Sequence, residues 1–535
     1  MSTERCLLRL GATGVIEVIS PYDAVTQAQL RALRPCGHWC SRRRLWQFPL
    51  QAAGVLQQAL GRRFAIEPAL QLWFDWLAQP LPPLPPHRAL VAAAELKAPL
   101  ADGRALLAHQ RSGARWLLAR RGAVLADAMG LGKTITALAA VRALVRLASC
   151  RIVVIAPVGL HGHWQREAAA MQLRLEIYSW AALPAELPPA GCVLIADEAH
   201  FAQNSAARRT AGLLRLARHP RLRACWLLTG TPMKNGRPAQ LYPLLAAIGH
   251  PLADDQWAFE QRYCAGHWLE QGGRRQWVAR GASALPELQR LLRPLVLHRR
   301  KQDCLDLPPK TRHRIAVELS ADQAHAFDGA LQACVRDYRR RCALGEVRRD
   351  AEALAVLTAL RQLASQHKLK AAFDLIAPLL QQGESVVVFT AFVASARALQ
   401  AQLAAIGGAE LLCGAVPTAQ RQARVDAFQR GQIRLMAATY GTGGLGFTLH
   451  RARHVVLLER PWTPGDAEQA EDRCHRIGMG AALQSHWLQL GMADQLIDGL
   501  IASKAERIAV VFGNHKRLLR RQRLAAMVDD LLQAA

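Results

Sequence analysis

A short glycine-containing run at residues 126–134 is the feature that most restricts how this chain folds. It reads Ala-Asp-Ala-Met-Gly-Leu-Gly-Lys-Thr, the pattern of a turn between a strand and a helix. Backbone N–H groups at such a turn face a phosphate, and Lys133 adds a positive charge where the β and γ phosphates lie. Asp127 stands where the general pattern has a glycine, which leaves Gly130 and Gly132. The run predicts an α/β domain that binds a nucleoside triphosphate.

A second run, Leu-Ile-Ala-Asp-Glu-Ala-His at residues 194–200, supplies the carboxylates that such a domain needs. Apolar residues ending in Asp197 and Glu198 predict a buried strand that delivers one carboxylate to a magnesium ion and a second to an attacking water. The hydroxyl of Thr134 is a further ligand for the same ion. Together the two runs predict nucleoside triphosphate hydrolysis with Mg²⁺.

The charge of the chain indicates a polyanionic partner. Its 535 residues include 68 Lys and Arg against 41 Asp and Glu, which gives a formal net charge of +27. Nucleic acid is the favoured partner, and the alternative is that the arginines are spread over solvated faces. The length suits three or so domains, and 51% hydrophobic residues are enough for several cores.

The sequence predicts no membrane segment, no disulfide and no zinc site. Charged residues interrupt the first ten positions, and no span of about eighteen apolar residues occurs. The 12 cysteines lack paired spacing, and the tight cluster of Cys36, His38 and Cys40 has no fourth ligand nearby. We therefore expect a cytoplasmic protein with reduced thiols; a compact chain without nuclear-type basic clusters fits a bacterium, where it would associate with the nucleoid.

Prolines mark the clearest domain boundary. Residues 79–86 alternate proline with Gln and Leu, which predicts a stiff, polyproline-like connector. Beyond it, short apolar runs alternate with helical patterns, the rhythm of two parallel α/β sheets. A helical region at 285–380, interrupted near Pro308, separates the two sets. The predicted strands are Arg151–Ala156, Cys192–Ala196, Ala224–Leu228, Ser385–Phe389, Ile433–Ala438 and His454–Leu458.

A second lobe matters because one phosphate-binding lobe is an incomplete catalyst. An arginine supplied across a cleft can offset the charge that builds on the γ phosphoryl group. Arg473 and Arg476, three apart, would share one face of a helix and could both reach the nucleotide. The predicted parts are residues 1–78 (a DNA-recognition domain), 79–95 (linker), 96–306 (first lobe with a helical insertion), 307–512 (helical insertion and second lobe) and 513–535 (a basic C-terminal helix).

These motifs resemble those of the Swi/Snf-type helicase-like ATPases of superfamily two. The matching blocks extend from residue 107 to residue 478 and follow the order of the family. The resemblance explains Asp127, since the phosphate loop of this family usually has Asp at that position. The blocks are Leu107–Gln110 with Gly113 and Trp116, Asp127–Thr134, Ile155–Pro157 with Trp164–Glu167, Asp197–His200, Leu228–Pro232 with Asn235, Val387–Thr390, Gly443–Gly446 with Leu449, and Asp472–Gly478.

The resemblance implies an α/β fold with two RecA-like parallel-sheet lobes, helical insertions and a small N-terminal α+β domain. It also implies roles for individual residues in binding ATP and Mg²⁺ and in coupling them to DNA. Two positions depart from the family: Ala128 stands where it usually has Glu, and Met479 where it usually has Gln. We expect activity to survive both changes, and their effect to fall on the fine coupling between ATP and DNA. The implied catalytic residues are Lys133, Asp197, Glu198, Arg473 and Arg476; the nucleotide contacts are Gln110, Asp127, Met129, Gly130, Leu131, Gly132, Thr134 and Gly444; the coupling residues are His200, Thr229, Thr231 and Gly443.

Within this family the chain is most similar to the annealing-helicase branch. Residues 259–264, 297–300 and 307–310 look like the joining region of that branch, and residues 38–60 resemble its HARP substrate-recognition module. Arg42, Arg43 and Arg44 are the expected DNA contacts there. Trp46 and Phe48 share one face of a predicted strand, which is either a stacking surface or the core of the module.

The expected function is that of an ATP-driven DNA translocase that remodels or re-anneals branched or forked DNA at single-strand to double-strand junctions. We expect a monomer that a single-strand-binding protein could recruit. One alternative is a strand-separating DNA or RNA helicase of the same superfamily. Another is a nucleic-acid-binding scaffold that uses ATP only as a conformational ligand.

Overall fold

In the part of the chain that a computed structural model describes, the strands form three β-sheets and a separate hairpin. The structure describes residues 6–10, 15–33, 37–49, 52–60, 63–67, 70–71, 86–147, 149–187, 191–220, 222–271, 274–343, 349–443 and 447–512. Most of the proline-rich connector and the predicted C-terminal helix at 513–535 lie outside these residues.

The N-terminal region forms a small α+β domain, as expected. Its strands are β1 (Leu7–Leu10), β2 (Val15–Ile19), β3 (His38–Cys40), β4 (Leu45–Pro49) and β5 (Ala65–Ile66), and its helices are Ala24–Ala32 and Ala53–Leu60. The sheet has the order β3-β4-β2-β1-β5 and is antiparallel except for the pairing of β1 with β5. Trp46 and Phe48 are buried in the core. Their shared face is therefore interior and not a surface for stacking bases.

The first α/β lobe is a six-stranded parallel sheet of order β13-β6-β10-β9-β7-β8. Helices cover both faces, so its central strands are apolar on both sides: Val193 and Ile195 belong to one core cluster, Leu194 and Ala196 to the other. The strands, with the hairpin β11–β12, are β6 (Gly122–Leu125), β7 (Arg151–Ile155), β8 (Glu176–Tyr178), β9 (Cys192–Asp197), β10 (Leu222–Leu228), β11 (His267–Gln271), β12 (Arg274–Val278) and β13 (Val296–Leu297); the α-helices are Pro86–Lys97, Ala108–Leu118, Lys133–Leu147, His161–Ala170, Arg208–Ala217, Tyr242–Ala247, Gln256–Tyr263 and Leu285–Leu292.

The second lobe repeats this architecture with a six-stranded parallel sheet of order β14-β19-β18-β15-β17-β16. Val387 and Phe389 face one core cluster, and Val386 and Val388 face the other. The strands are β14 (Lys310–Ala316), β15 (Val386–Thr390), β16 (Ala409–Leu412), β17 (Leu435–Thr439), β18 (His454–Leu457) and β19 (Leu483–Gln489); the helices are Ala321–Ala343, Arg349–Gln381, Val393–Gly407, Thr418–Arg430, Tyr440–Gly443, Pro464–Asp472 and Gly491–Phe512.

The structure confirms the six predicted strands, each within two residues at either end. The predicted helical region at 285–380, interrupted near Pro308, also contains the strands β13 and β14, so it is only partly helical. Most side chains of the edge strand β14 are exposed, so it lacks the apolar pattern by which a strand is recognised. A helix also begins at Pro86, so the end of the predicted linker is helical from that residue.

The helix Gly491–Phe512 connects the two lobes. Near its start, Asp494 and Asp498 form ion pairs with Lys368 (2.5 Å) and Arg460 (2.6 Å) of the second lobe. Near its end, Val510 and Val511 are buried in a core cluster shared with the first lobe. Among the described residues, no helix is both long enough and apolar enough to cross a membrane.

Candidate active site between the two lobes

The phosphate loop lies at the carboxyl ends of three neighbouring strands of the first lobe. It follows β6, while Asp197 ends β9 and Thr229 follows β10, and these strands are adjacent in the sheet. Ligands of open α/β sheets bind at this edge. Gly130 (φ +86°) and Gly132 (φ +75°) take left-handed conformations that side-chain-bearing residues avoid. The helix Lys133–Leu147 then begins with its free N–H groups directed into the loop.

Gln110 and His109 support this loop from behind. His109 Nε2 lies 2.8 Å from the carbonyl oxygen of Leu131, and Gln110 Nε2 donates to the same oxygen at 3.5 Å. A Cβ on Gly132 would lie 2.5 Å from Gln110 Nε2, so the contact requires glycine. Gln110, the predicted adenine contact, is therefore hydrogen-bonded to the backbone of the phosphate loop.

Asp127 shapes the loop through an ion pair. Its buried carboxylate accepts hydrogen bonds from Arg299, at 2.9 Å from Nε to Oδ1 and 2.5 Å from Nη2 to Oδ2. Arg299 also donates to the carbonyl oxygen of His109 and to Ser112 Oγ. The position where the general pattern has glycine is thus an anchor between the loop, the helix Ala108–Leu118 and the segment after β13. Sequence reasoning did not select Arg299, because 172 residues separate it from Asp127.

Two buried carboxylates face Lys133 across the loop. Lys133 Nζ donates to the carbonyl oxygen of Asp127 at 2.9 Å, and burial lowers its pKa. Asp197 accepts from Trp164 Nε1 at 2.8 Å, and burial together with the adjacent Glu198 raises its pKa. Although burial opposes ionisation of Glu198, His200, Lys133 and other cations lower its pKa to about 2. Glu198 is therefore the more acidic member of the pair and is ionised at neutral pH.

The geometry around Glu198 directs its carboxylate into the cleft. Glu198 has φ +50°, the left-handed conformation, and lies between the end of β9 and the 3₁₀ turn Ala199–Ala202. His200 Nδ1 lies 3.1 Å from Glu198 Oε2. Such a strained backbone is typical of functional positions.

The turn at Thr229–Thr231 contacts both the phosphate loop and the second lobe. A Cβ on Gly230 would lie 2.6 Å from Met129 Cγ and 3.3 Å from Lys133 Nζ. On the other side, Thr231 Cγ2 would lie 2.8 Å from a Cβ on Gly465, which belongs to the helix Pro464–Asp472. The turn therefore lies between the phosphate loop and the second lobe and approaches both closely.

Arg473 and Arg476 enter the same cleft from the second lobe. The expectation that they share a face of a helix is wrong, since the helix ends at Asp472 and both arginines lie in the following turns. Gly478 has φ +97°, a backbone conformation that an α-helix does not contain. Burial lowers the pKa of Arg473 to about 9, while Arg476 Nη1 donates to Thr448 Oγ1 at 2.8 Å.

A cleft of about 750 Å³ brings the predicted catalytic residues of both lobes together. It is large enough for a nucleotide. Its lining residues include Gln110, Met129, Gly130, Gly132, Lys133, Thr134, Asp197 and Glu198 from the first lobe, and Gln429, Thr448, His450, Arg473 and Arg476 from the second.

The cleft has the unsatisfied donors and acceptors expected of a site for triphosphate, metal and water. Arg476 Nε is buried without a hydrogen-bond partner among the described residues, and the buried Glu198 Oε2 has only His200 Nδ1 beside it, 3.1 Å away. Buried polar atoms in this state are rare and favour a functional role over a structural one. A carboxylate oxygen facing an arginine and a lysine fits a water positioned against the γ phosphate of ATP.

The comparisons with known proteins agree with this geometry. The SNF2-related domain model matches residues 109–181 and 191–369, and the helicase conserved C-terminal domain model matches residues 367–478. Together the two models cover most of both lobes and all the residues described above that line the cleft. The chain belongs to the SNF2-type helicase-like ATPases.

Two curated relatives show where in this family the chain lies. It is 32% identical over 345 residues to the mouse (Mus musculus) protein "DNA annealing helicase and endonuclease ZRANB3", a match that covers 63% of this chain and 31% of that protein. It is 29% identical to the Xenopus tropicalis "SWI/SNF-related matrix-associated actin-dependent regulator of chromatin subfamily A-like protein 1", covering 75% and 44% respectively. The chain thus spans less than half the length of either relative.

Among solved structures, the chain is similar to the Sulfolobus solfataricus SWI2/SNF2 ATPase core in complex with dsDNA. That structure is 20% identical, has a TM-score of 0.35 and covers 78% of this chain and 96% of that chain.

The remaining predicted residues of this SNF2-type chain lie outside the cleft or beyond the described residues. Arg42 and Arg44 are exposed, whereas Arg43 forms an ion pair with the buried Glu17. Gly443 ends the helix that begins at Tyr440. Gly444 lies outside the described residues.

Lys301 is a second residue that sequence reasoning missed. Its Nζ forms an ion pair with Asp472 at 2.8 Å and donates to the carbonyl oxygen of His475 at 2.9 Å. A Cβ on Gly130 would lie 3.5 Å from Lys301 Cε. Lys301 thus stands between the phosphate loop and the turn that carries both arginines. Its position directly after residues 297–300, which resemble the joining region of the annealing-helicase branch, is the one signal that could have identified it.

Met479 fits the second lobe where the family usually has glutamine. Its side chain is buried in the apolar cluster of that lobe. Burying a glutamine amide there without a partner would cost free energy. The departure is therefore consistent with the local packing.

Proposed function

We propose that the protein is a DNA translocase that hydrolyses ATP with Mg²⁺ in this cleft and uses the cycle to remodel or re-anneal branched or forked DNA. The observation that carries the proposal is the convergence of Lys133 and Glu198 from one lobe with Arg473 and Arg476 from the other. The similarity to relatives named as annealing helicases supports the finer part of the proposal.

In this proposal the cleft is complete only while the lobes are closed. Lys133 and the N–H groups of the loop hold the β and γ phosphates, and Gln110 lies near adenine. Thr134 and Asp197 hold magnesium, which when bound offsets phosphate charge. Glu198 orients the attacking water, and His200 Nδ1, 3.1 Å from Glu198 Oε2, holds the carboxylate in place.

The arginines couple chemistry to movement of the lobes. Arg473 and Arg476 stabilise the charge that develops on the γ phosphoryl group and lose this interaction once phosphate leaves. The lobes then reopen, and DNA held across them is displaced. Thr229 and Thr231 relay the change, since their turn contacts the phosphate loop and the helix Pro464–Asp472.

The N-terminal domain is the proposed reader of DNA structure. Arg42 and Arg44 are its exposed cations for phosphate, and Arg43 is partly engaged by Glu17. The protein is proposed to act as a monomer, in a bacterial cytoplasm at the nucleoid, and to work with a single-strand-binding protein.

ATP hydrolysis measured against a panel of DNA and RNA structures tests the proposal. We expect forked and four-way DNA to stimulate hydrolysis more than plain duplex, single strands or RNA. Lys133→Ala removes the phosphate contact and Glu198→Gln the orienting carboxylate, so both should lower kcat by at least about a hundredfold. Equal stimulation by every nucleic acid would rule out the branched-DNA function while leaving the ATPase intact.

Strand annealing measured beside strand displacement separates the alternatives. Efficient unwinding of a plain tailed duplex would favour a strand-separating helicase. Absence of turnover in the wild type, with ATP-dependent DNA binding retained, would favour a scaffold that uses ATP as a ligand.

A further inference from the structure

Three tryptophans form an exposed row on the first lobe, away from the ATP cleft. Trp257 lies on the helix Gln256–Tyr263, and Trp268 and Trp277 pair across the hairpin β11–β12. The ring centroids of Trp257 and Trp277 are 5.4 Å apart, and those of Trp277 and Trp268 are 5.5 Å apart. Trp257 is 40% exposed and Trp268 is 52% exposed. None of the described residues that line the cleft belongs to this tryptophan row.

The central ring is fixed, and the outer two rings are presented to solvent. Trp277 Nε1 donates to Glu260 Oε2 at 2.6 Å, and the close approach of Gly266 leaves no room for a Cβ beside its ring. A two-stranded hairpin is marginally stable by itself, so this anchor is what holds it in place. Ordered indoles with exposed faces lose little conformational entropy when they bind a planar ligand.

Arginines lie at the hairpin end of the row, whereas the acids Asp255 and Glu260 lie beside Trp257. Arg275 lies over the ring of Trp268, with its guanidinium carbon 5.6 Å from the centroid. The segment from β11 to residue 280 contains Arg274, Arg275 and Arg280 against the single acid Glu270, which Arg275 already pairs at 3.2 Å. Aromatic faces beside cations suit a ligand that is planar and anionic.

We propose that the tryptophan row binds unpaired bases of single-stranded DNA. Bases stack on indole rings whatever their sequence, while nearby arginines attract the phosphates. The inference rests on the proposed DNA-translocating function and adds to it a second contact for the separated strand of a junction. Paired bases keep their faces covered, so the row discriminates single strands from duplex.

Fluorescence anisotropy with a labelled oligo-thymidine strand tests the proposal in the full chain. We expect Trp257→Ala and Trp268→Ala each to weaken binding by about tenfold, and the double variant by more. Trp268→Phe retains a stacking face and should recover most of the affinity. The matched control is Leu269→Ala, which removes an exposed apolar side chain (41% exposed) from the opposite face of the same hairpin.

Duplex binding and duplex-stimulated ATP hydrolysis show whether the variants are folded, and both should stay at the wild-type level. Wild-type affinity for the oligonucleotide in the Trp257→Ala/Trp268→Ala variant would overturn the proposal and assign the row to an apolar protein partner. Equal losses in Leu269→Ala would overturn it as well. If no DNA stimulates the wild-type ATPase, the proposed function fails separately, because the anisotropy still reports strand binding.

Discussion

Lys301 provides the most direct test of how the second lobe is held over the phosphate loop. Its ion pair with Asp472 is 2.8 Å long, and both side chains are only 12% exposed. Asp472 immediately precedes Arg473, so this contact fixes the position of the turn that carries both arginines. We predict that Lys301→Met weakens lobe closure and slows ATP hydrolysis.

The magnitude follows from what remains around Asp472. Removing one partner of a buried ion pair typically costs about 3–5 kcal/mol, because the other charge is left without compensation. Asp472 keeps a second cation, since Lys310 Nζ lies 3.5 Å from its Oδ1. We therefore expect the variant to lose about 2 kcal/mol of the stability of the closed state, which corresponds to roughly a thirtyfold decrease in kcat.

The assay is DNA-stimulated ATP hydrolysis at varied ATP. KM for ATP should change little, because Lys133 and Gln110 belong to the first lobe and are untouched. Lys301→Arg keeps the charge and should recover most of the rate. The control is Arg300→Met, which removes a cation 46% exposed that pairs with Asp303 on the surface. The reasoning is refuted if Lys301→Met and Arg300→Met differ by less than about twofold in kcat.

Two further predictions concern the stability of the first lobe. Arg299→Met leaves the carboxylate of Asp127 buried and unpaired, so urea unfolding should show a loss of about 3–5 kcal/mol, of which the additional change Asp127→Asn restores part; strictly additive losses would contradict this. Burial lowers the pKa of His250 to about 4, and its neutral ring bonds Leu252 N and Leu291 O. The imidazole of the unfolded chain is protonated at a higher pH than the buried ring. The free energy of unfolding therefore decreases as pH falls from about 6.5 towards 4, by about 2 kcal/mol at pH 5. In a melting series from pH 7 to pH 5, His250→Asn should show a smaller decrease in Tm than the wild type.

The parallel sheets and the cleft could be predicted because each leaves a local signal. Strands such as β9 are buried on both faces, so they appear as short continuous apolar runs whatever their partners. The phosphate loop and the acidic strand end are spacings within a few residues, and the chemistry of phosphate and metal restricts the residue types.

The contacts that hold the site together leave no such signal. Arg299 and Asp127 are far apart in the sequence, and no pattern near either residue indicates that the two form a pair. The strand β14 is recognisable only through its neighbour β19, because its own side chains are mostly polar and exposed. Local patterns predict elements and loops, whereas pairings between distant charges depend on the folded topology.

The joining segment, residues 299–312, accounts for part of the excess of positive charge. Arg299 pairs with Asp127 of the phosphate loop, Lys301 with Asp472, and Lys310 and Arg312 with the buried Glu471. These cations are committed to acids of the two lobes, so they connect the halves of the ATP site and contribute little net charge to a DNA surface. Exposed arginines elsewhere, such as Arg42 and Arg44, are better placed to attract DNA. A substitution in the joining segment should accordingly alter the rate of ATP hydrolysis far more than the salt dependence of DNA binding.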